Sequence, residues 1–374
     1  MKQANVRLPV MTGDVSGVCA ALYELGGMVV MHDPSGCNST YNTHDEIRWY
    51  DQPSLIFLSG LKASDAIMGN DDKLINDIVT AATLYHPAFI AICNSPVPFI
   101  IGTDFDAISM IIEKRTGIKT FYIQTNAMHD YVYGASAALE KAVALFGHQT
   151  SAVKGDHLLV NIIGTTPLDY TNHESVTSLI RWLEDNGYDF NVNLSFGCDF
   201  AALQQVTAAD VNLVVSGLGL KTAQMLERDY GMPYVAGIPV KGMVDKLKSS
   251  IDEAARTKCS CIAYARDEVN SDVLLIGDAV IMGSLGYELR ARVLCPTECD
   301  KTLLTAGGLL FDGEEDLIDM IGQPGTVIGD PLYRYYMSDD IDFIELPHFA
   351  LSGRLYRKAI PDLIRFDWRD DNES

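Results

Sequence analysis

Basic residues are scarce in this chain: 28 Lys and Arg stand against 50 Asp and Glu, for a formal net charge of −22. A surface that grips phosphates needs clustered Lys and Arg, so nucleic acid is not an expected partner, and neither is an anionic membrane surface. The plain reading of the acidity is solubility. Long apolar runs are missing as well. None approaches the ~18 residues that span a bilayer, and the stretch from Met1 to Val10 lacks the charged start and apolar core of a secretory signal. The expectation is a soluble, cytoplasmic protein whose eight cysteines are reduced thiols or metal ligands rather than disulfides. The phosphate-cradling pattern GxxxxGK(S/T) is absent, so the chain is not expected to hydrolyse ATP itself. No Ser-His-Asp or HExxH arrangement appears.

What is present is a repeated alternation of strand-like and helix-like stretches. Gly27–Met31, Phe89–Ile92 and Lys119–Ile123 read as buried strands. Between the first two, Leu74, Ile75, Ile78, Val79 and Ala82 fall at helical spacing. The pattern restarts at His157–Ile163, a strand stopped by Gly164-Thr165-Thr166-Pro167 and followed by a helix through Val176–Leu183 that ends near Gly187. Val211–Val215 is a strand feeding a helix at 220–229. A third start comes at Ser271–Asp278, with later strands at Thr326–Gly329 and Asp342–Leu346. Short strands separated by helices imply crossover connections and parallel sheets. The fold class is therefore α/β, built of three Rossmann-like or flavodoxin-like parallel-sheet modules at 1–150, 151–267 and 268–374. The polar tail from Asp367 onward is expected to fray.

Three segments carry chemistry. Met31-His32-Asp33-Pro34-Ser35-Gly36-Cys37 ends a strand, turns the chain and presents a thiol beside backbone amides, a setting that can ligate iron. The stretch from Leu58 to Leu74 follows, and then Ile92-Cys93-Asn94-Ser95-Pro96-Val97-Pro98-Phe99-Ile100-Ile101-Gly102-Thr103-Asp104. In order and spacing these resemble the nitrogenase component 1 family, whose motifs run HGPxGC, then a glycine-bearing stretch, then tCxxxiIGdD. The resemblance continues through Asn161-Ile162-Ile163-Gly164 and Ala223–Tyr234, and covers nearly the whole chain. Cys37 matches the family pattern directly. The family's first cluster cysteine falls near Gly13, with Cys19 close by, and its third aligns better with Pro96 than with Cys93.

The resemblance implies three modules around a central cleft and a dimer with itself or a homologous sister subunit. It also implies a 4Fe–4S or related iron–sulfur cluster shared between subunits, with Cys37, Cys93 and Cys19 as candidate metal ligands. A separate ATP-dependent iron–sulfur reductase would supply electrons, passed through that cluster to a small molecule such as a tetrapyrrole. The alternative is a non-catalytic scaffold that holds a metallocluster or cofactor. Ser216 stands roughly where the nitrogenase cofactor cysteine aligns, and Ser216, Gly164 and Thr165 are the candidate cofactor-binding residues. Gly217-Leu218-Gly219-Leu220-Lys221-Thr222 follows a strand and opens a helix as a phosphate cradle would, yet close packing explains it equally well. Cys259/Cys261 and Cys295/Cys299 lack zinc or ferredoxin spacing, and Cys198 reads as a loop or pocket residue. His32, His44 and His348 read as hydrogen-bonded polar residues near loops.

Overall fold

A computed structural model describes residues 5–34, 46–148 and 155–367. Its strands form three sheets, every pairing within them parallel. The first contains β1 (Met28–His32), β2 (Leu55–Leu58), β3 (Ile90–Asn94) and β4 (Thr120–Tyr122), in the order β2-β1-β3-β4. The second contains β5 (Leu159–Ile163), β6 (Asp189–Leu194), β7 (Val211–Val214), β8 (Tyr234–Ala236) and β9 (Cys261–Ile262), in the order β6-β5-β7-β8-β9. The third contains β10 (Asn270–Ile276), β11 (Ala291–Cys295), β12 (Leu309–Leu310), β13 (Thr326–Gly329) and β14 (Asp342–Glu345), in the order β12-β11-β10-β13-β14. We propose that each sheet, with its helices, is one module.

The sequence explains these elements directly. A parallel sheet covered on both faces needs unbroken apolar strands rather than alternating ones. Met28–His32 and Ile90–Asn94 are accordingly buried at every position. The helix Asp72–Tyr85 buries Leu74, Ile75, Ile78 and Ala82 on one stripe and so closes one face of the first sheet. Gly231, at φ 67°, ends the helix Leu220–Tyr230 in a left-handed turn whose N–H bonds the Glu227 carbonyl.

Contacts gather the chain into two compact units. One is Thr12–Phe146 with Ser195–Gln204; the other is Gly147–Leu194 with Gln205–Ser374 and the residues through Met11. The first unit holds the first sheet, and the second unit holds the other two. Ser195–Gln204 joins the first unit because the Gly197 amide donates to Glu24 (2.9 Å) and the Phe200 ring packs between Phe89 and Phe146. Glu24 also holds Arg48, which is buried and bonded to Glu46 at 2.8 Å, with its guanidinium 4.3 Å over the Tyr23 ring. That network ties Glu46 and Arg48 to Glu24 and to the Ala20 carbonyl of the helix Asp14–Leu22. Removing one charge from such a buried set is costly because its partner stays desolvated.

Within this unit the helices Asp14–Leu22 and Tyr131–Phe146 approach backbone to backbone. A β-carbon on Gly17 would lie 2.2 Å from the Tyr131 carbonyl oxygen, and one on Gly134 would lie 1.9 Å from that of Asp14. Both atoms are main chain, so neither gives way by rotating. Gly134→Ala is therefore expected to destabilise the protein by ~1–3 kcal/mol or more. Urea unfolding checks this, and an unchanged midpoint would contradict the crossing.

Candidate functional site

In a parallel α/β sheet, ligands bind at the carboxyl edge where neighbouring strands send the chain in opposite directions. The strand orders put these points between β1 and β3, between β5 and β7, and between β10 and β13.

At the second point the sequence-selected residues come together. Gly164 follows β5 at φ 117°, and a β-carbon there would stand 2.8 Å from the Ser216 hydroxyl. Only glycine fits, and the Ser216 hydroxyl donates to the Gly164 carbonyl at 2.7 Å. The Thr165 hydroxyl donates to Asn193 of β6 at 2.6 Å. The next link crosses to the third sheet: the Gly217 amide donates to Asp278 Oδ2 at 2.8 Å. The other oxygen of Asp278 accepts from Val280 (2.9 Å) and Ile281 (3.1 Å), capping the helix Ala279–Leu285. Asp330, just past β13, accepts from the His348 amide at 2.7 Å, and His348 Nε2 lies 3.0 Å from Asp169 Oδ1. The Tyr170 hydroxyl closes the group by donating to the Val215 carbonyl at 2.8 Å.

Three carboxylates around one imidazole make this an acidic, enclosed place. Burial disfavours charge on Asp278, the negative charge of Asp169 adds to it, and the backbone amides only partly offset them, so its carboxyl is pushed up to about 7. Burial opposes charge on His348 too, but the Asp169 hydrogen bond and the charges of Asp169, Asp330 and Asp278 outweigh it and raise its pKa. The group therefore holds protons near neutral pH. It is not a phosphate cradle: the Gly217 amide is already occupied by Asp278, and an incoming anion would meet that carboxylate.

The candidate metal ligands are placed differently. Cys37 and His44 lie outside the described residues. Cys19 and Cys93 do come near each other, but both are fully buried in the core of the first unit, where the Cys93 thiol faces the Val30 carbonyl at 3.9 Å. Burial, with Cys93 beside it, raises the Cys19 thiol well above its ordinary value. Iron is bound by thiolates, and the described residues contain no group of three His, Cys, Asp or Glu side chains arranged to hold a metal. Cys19 and Cys93 by themselves are two buried thiols, short of the thiolate set that a cluster takes. At the nearby carboxyl edge of the first sheet, His32 Nδ1 lies 2.8 Å from the Ser59 hydroxyl, and burial holds its pKa down, to about 4.

Asp169, Asp278, Asp330 and His348 form the centre of the site, and sequence reasoning gave none of them a role. The available signal was position: Asp278 and Asp330 each directly follow a strand and its glycine, and His348 follows β14 by three residues.

Comparison with known proteins agrees with this architecture. The model of the family described as Nitrogenase component 1 type Oxidoreductase matches residues 16–246, and the chain belongs to that family. It is 24% identical over 210 residues to the nitrogenase iron-molybdenum cofactor biosynthesis protein NifE of Clostridium pasteurianum, covering 55% of this chain and 45% of that protein. It is 25% identical over 236 residues to the nitrogenase molybdenum-iron protein alpha chain of the same organism, covering 59% and 42%. It is 39% identical over 188 residues to a subunit of the light-independent protochlorophyllide reductase of Nostoc punctiforme, covering 47% and 36%. The matched stretch thus spans less than half the length of each relative. Among solved structures, nitrogenase Cp1 at pH 6.5 superposes with a TM-score of 0.68 at 16% identity, over 95% of this chain and 89% of that one. No helix among the described residues is long and apolar enough to cross a membrane.

A pH test follows from His348. Its folded-state pKa is raised, so its contribution is complete below the ordinary value of 6.5 and is lost as pH rises through the folded value. His348→Gln is expected to cost about 1.5–3 kcal/mol at mildly acidic pH, and the gap from wild type should shrink as pH rises past neutral. Denaturant melts across that range check it. A pH-independent gap would show that Asp169 and His348 do not form a charged pair.

Proposed function

We propose that this chain is a nitrogenase-like oxidoreductase subunit that holds a reducible small molecule at the Asp169–His348–Asp278 group and supplies it with protons. Electrons come from a separate ATP-dependent iron–sulfur reductase. The observation that carries this reading is the buried group itself. Adding electrons to a conjugated ligand builds negative charge on it, and a positioned acid that is still protonated near neutral pH relieves that charge. Asp278 has this property because burial and the Asp169 charge push its carboxyl up to about 7, and the Asp169 hydrogen bond and the nearby carboxylates raise His348 despite its burial. A carrier that only binds and releases its cargo needs no such proton store. A tetrapyrrole is the substrate class we favour, because subunits of a protochlorophyllide reductase are among the relatives.

We place the contact of the expected dimer on an apolar face of the first unit. Ile67, Met68, Val97, Phe99, Ile100 and Ile101 are exposed, Ile100 to 72%, on and beside the helices Ala63–Met68 and Pro96–Ile100, which follow β2 and β3. Exposed apolar clusters of this kind mark protein–protein contacts. A cluster shared across such a contact would rest on Cys37 and on donors from the second chain; the proton chemistry above does not depend on it. Ile100→Glu is expected to shift the protein towards monomer in analytical ultracentrifugation at micromolar concentration. An unchanged sedimentation profile would remove this face from the interface.

The enclosure of Cys19 and Cys93 favours a second reading, a non-catalytic scaffold for a metallocluster or cofactor. Turnover separates the two. Incubated anaerobically with an ATP-dependent iron–sulfur reductase, ATP and protochlorophyllide, the chain is expected to reduce the ring at a rate that falls as pH rises through about 7. His348→Gln should lower kcat by about 10² or more. Binding without reduction, in wild type as in variant, would leave the scaffold reading.

A further inference from the structure

We propose that Cys295 and Cys299 are a redox-active dithiol, a modification site that takes two electrons' worth of oxidation from a small-molecule disulfide. Cys295 ends β11 and Cys299 comes four residues later, past Pro296-Thr297-Glu298. Their sulfurs lie 3.5 Å apart, and neither is in a disulfide. A sulfur–sulfur bond is about 2.05 Å, so closure needs a movement of only ~1.5 Å. The turn that holds them is already formed. The Cys299 amide donates to the Thr297 carbonyl at 2.8 Å, and the Thr297 hydroxyl lies 3.3 Å from the Cys295 sulfur.

Access sets the order of events. Cys299 is 7% exposed and Cys295 is fully buried, so the Cys299 thiolate is the one a small disulfide reaches. Its sulfur bonds to one sulfur of the disulfide, and the other leaves as a thiolate. The Cys295 sulfur then attacks Cys299 and displaces the second thiolate. Two protein thiols have lost two electrons and two protons, and one small disulfide has become two thiols. The Cys19–Cys93 pair has no exposed member and should not enter this exchange.

The Cys299 β-carbon is 3.2 Å from the point where a Gly217 β-carbon would stand, and Asp278 Oδ2 is 2.9 Å from that same point. The dithiol therefore backs onto the Gly217–Asp278 link. The exchange needs no particular substrate and stands apart from the proposed activity.

One tryptic peptide, Val293–Lys301, contains both cysteines. The native protein would be equilibrated in glutathione buffers from reducing to oxidising, quenched with acid, alkylated after denaturation, digested and weighed. The expected result is that Cys295 and Cys299 lose alkylation together and the peptide becomes two hydrogens lighter, reversibly on return to reduced glutathione. Cys295→Ala should stop at a glutathione adduct on Cys299, and Cys299→Ser should leave Cys295 alkylated. The proposal is overturned if both cysteines in the wild type stay alkylated while exposed Cys259 acquires glutathione, or if Cys299 pairs with a different cysteine.

Discussion

The site depends on one carboxylate. Asp278 is nearly inaccessible to solvent, and it accepts the first amides of its own helix with one oxygen and the Gly217 amide of the neighbouring sheet with the other. Two carboxyl edges, each a natural ligand crevice, are thereby pinned to each other inside one compact unit. An acid so placed has competing demands. The amides favour its ionised form, while burial and the nearby Asp169 favour the neutral one. That balance leaves a proton available near neutral pH, and the reductive reading uses it.

Close approach enforces the same geometry elsewhere. Gly164 leaves room for the Ser216 hydroxyl, and Gly217 leaves room for Asp278 and Cys299. At each of these positions a side chain would push apart the groups that make the site. Gly17 and Gly134 serve the first unit in the same way, bringing two helices into backbone contact. In both units, then, small residues where main chains meet carry as much of the architecture as the apolar core.

Much of the fold was legible from residues alone. Thr326–Gly329, Val211–Val214 and Met28–His32 are mostly apolar and buried at all positions but Thr326, as parallel strands covered on both faces require. Less visible were β6, where Asn191 and Asn193 interrupt the apolar pattern while bonding to Asn161 and Thr165, and β8, β9 and β12, which are too short to show a period. The site was half legible. Gly164, Thr165 and Ser216 follow strand ends, so their convergence was readable. The Asp169–His348 and Gly217–Asp278 pairs join positions 179 and 61 residues apart, and only the folded topology shows them as partners. The thiols show the reverse limit: spacing along the chain does not reveal that the Cys93 and Cys19 side chains lie near each other in the core.

The most direct test of the account is backbone amide exchange at Gly217, Val280 and Ile281 in wild type and Asp278→Ala. If the Asp278 carboxylate joins the two edges, the variant loses protection at all three amides while β5, β7 and β10 stay protected. Unchanged protection at Gly217 in a variant that remains folded would contradict the link on which the proposed site is built.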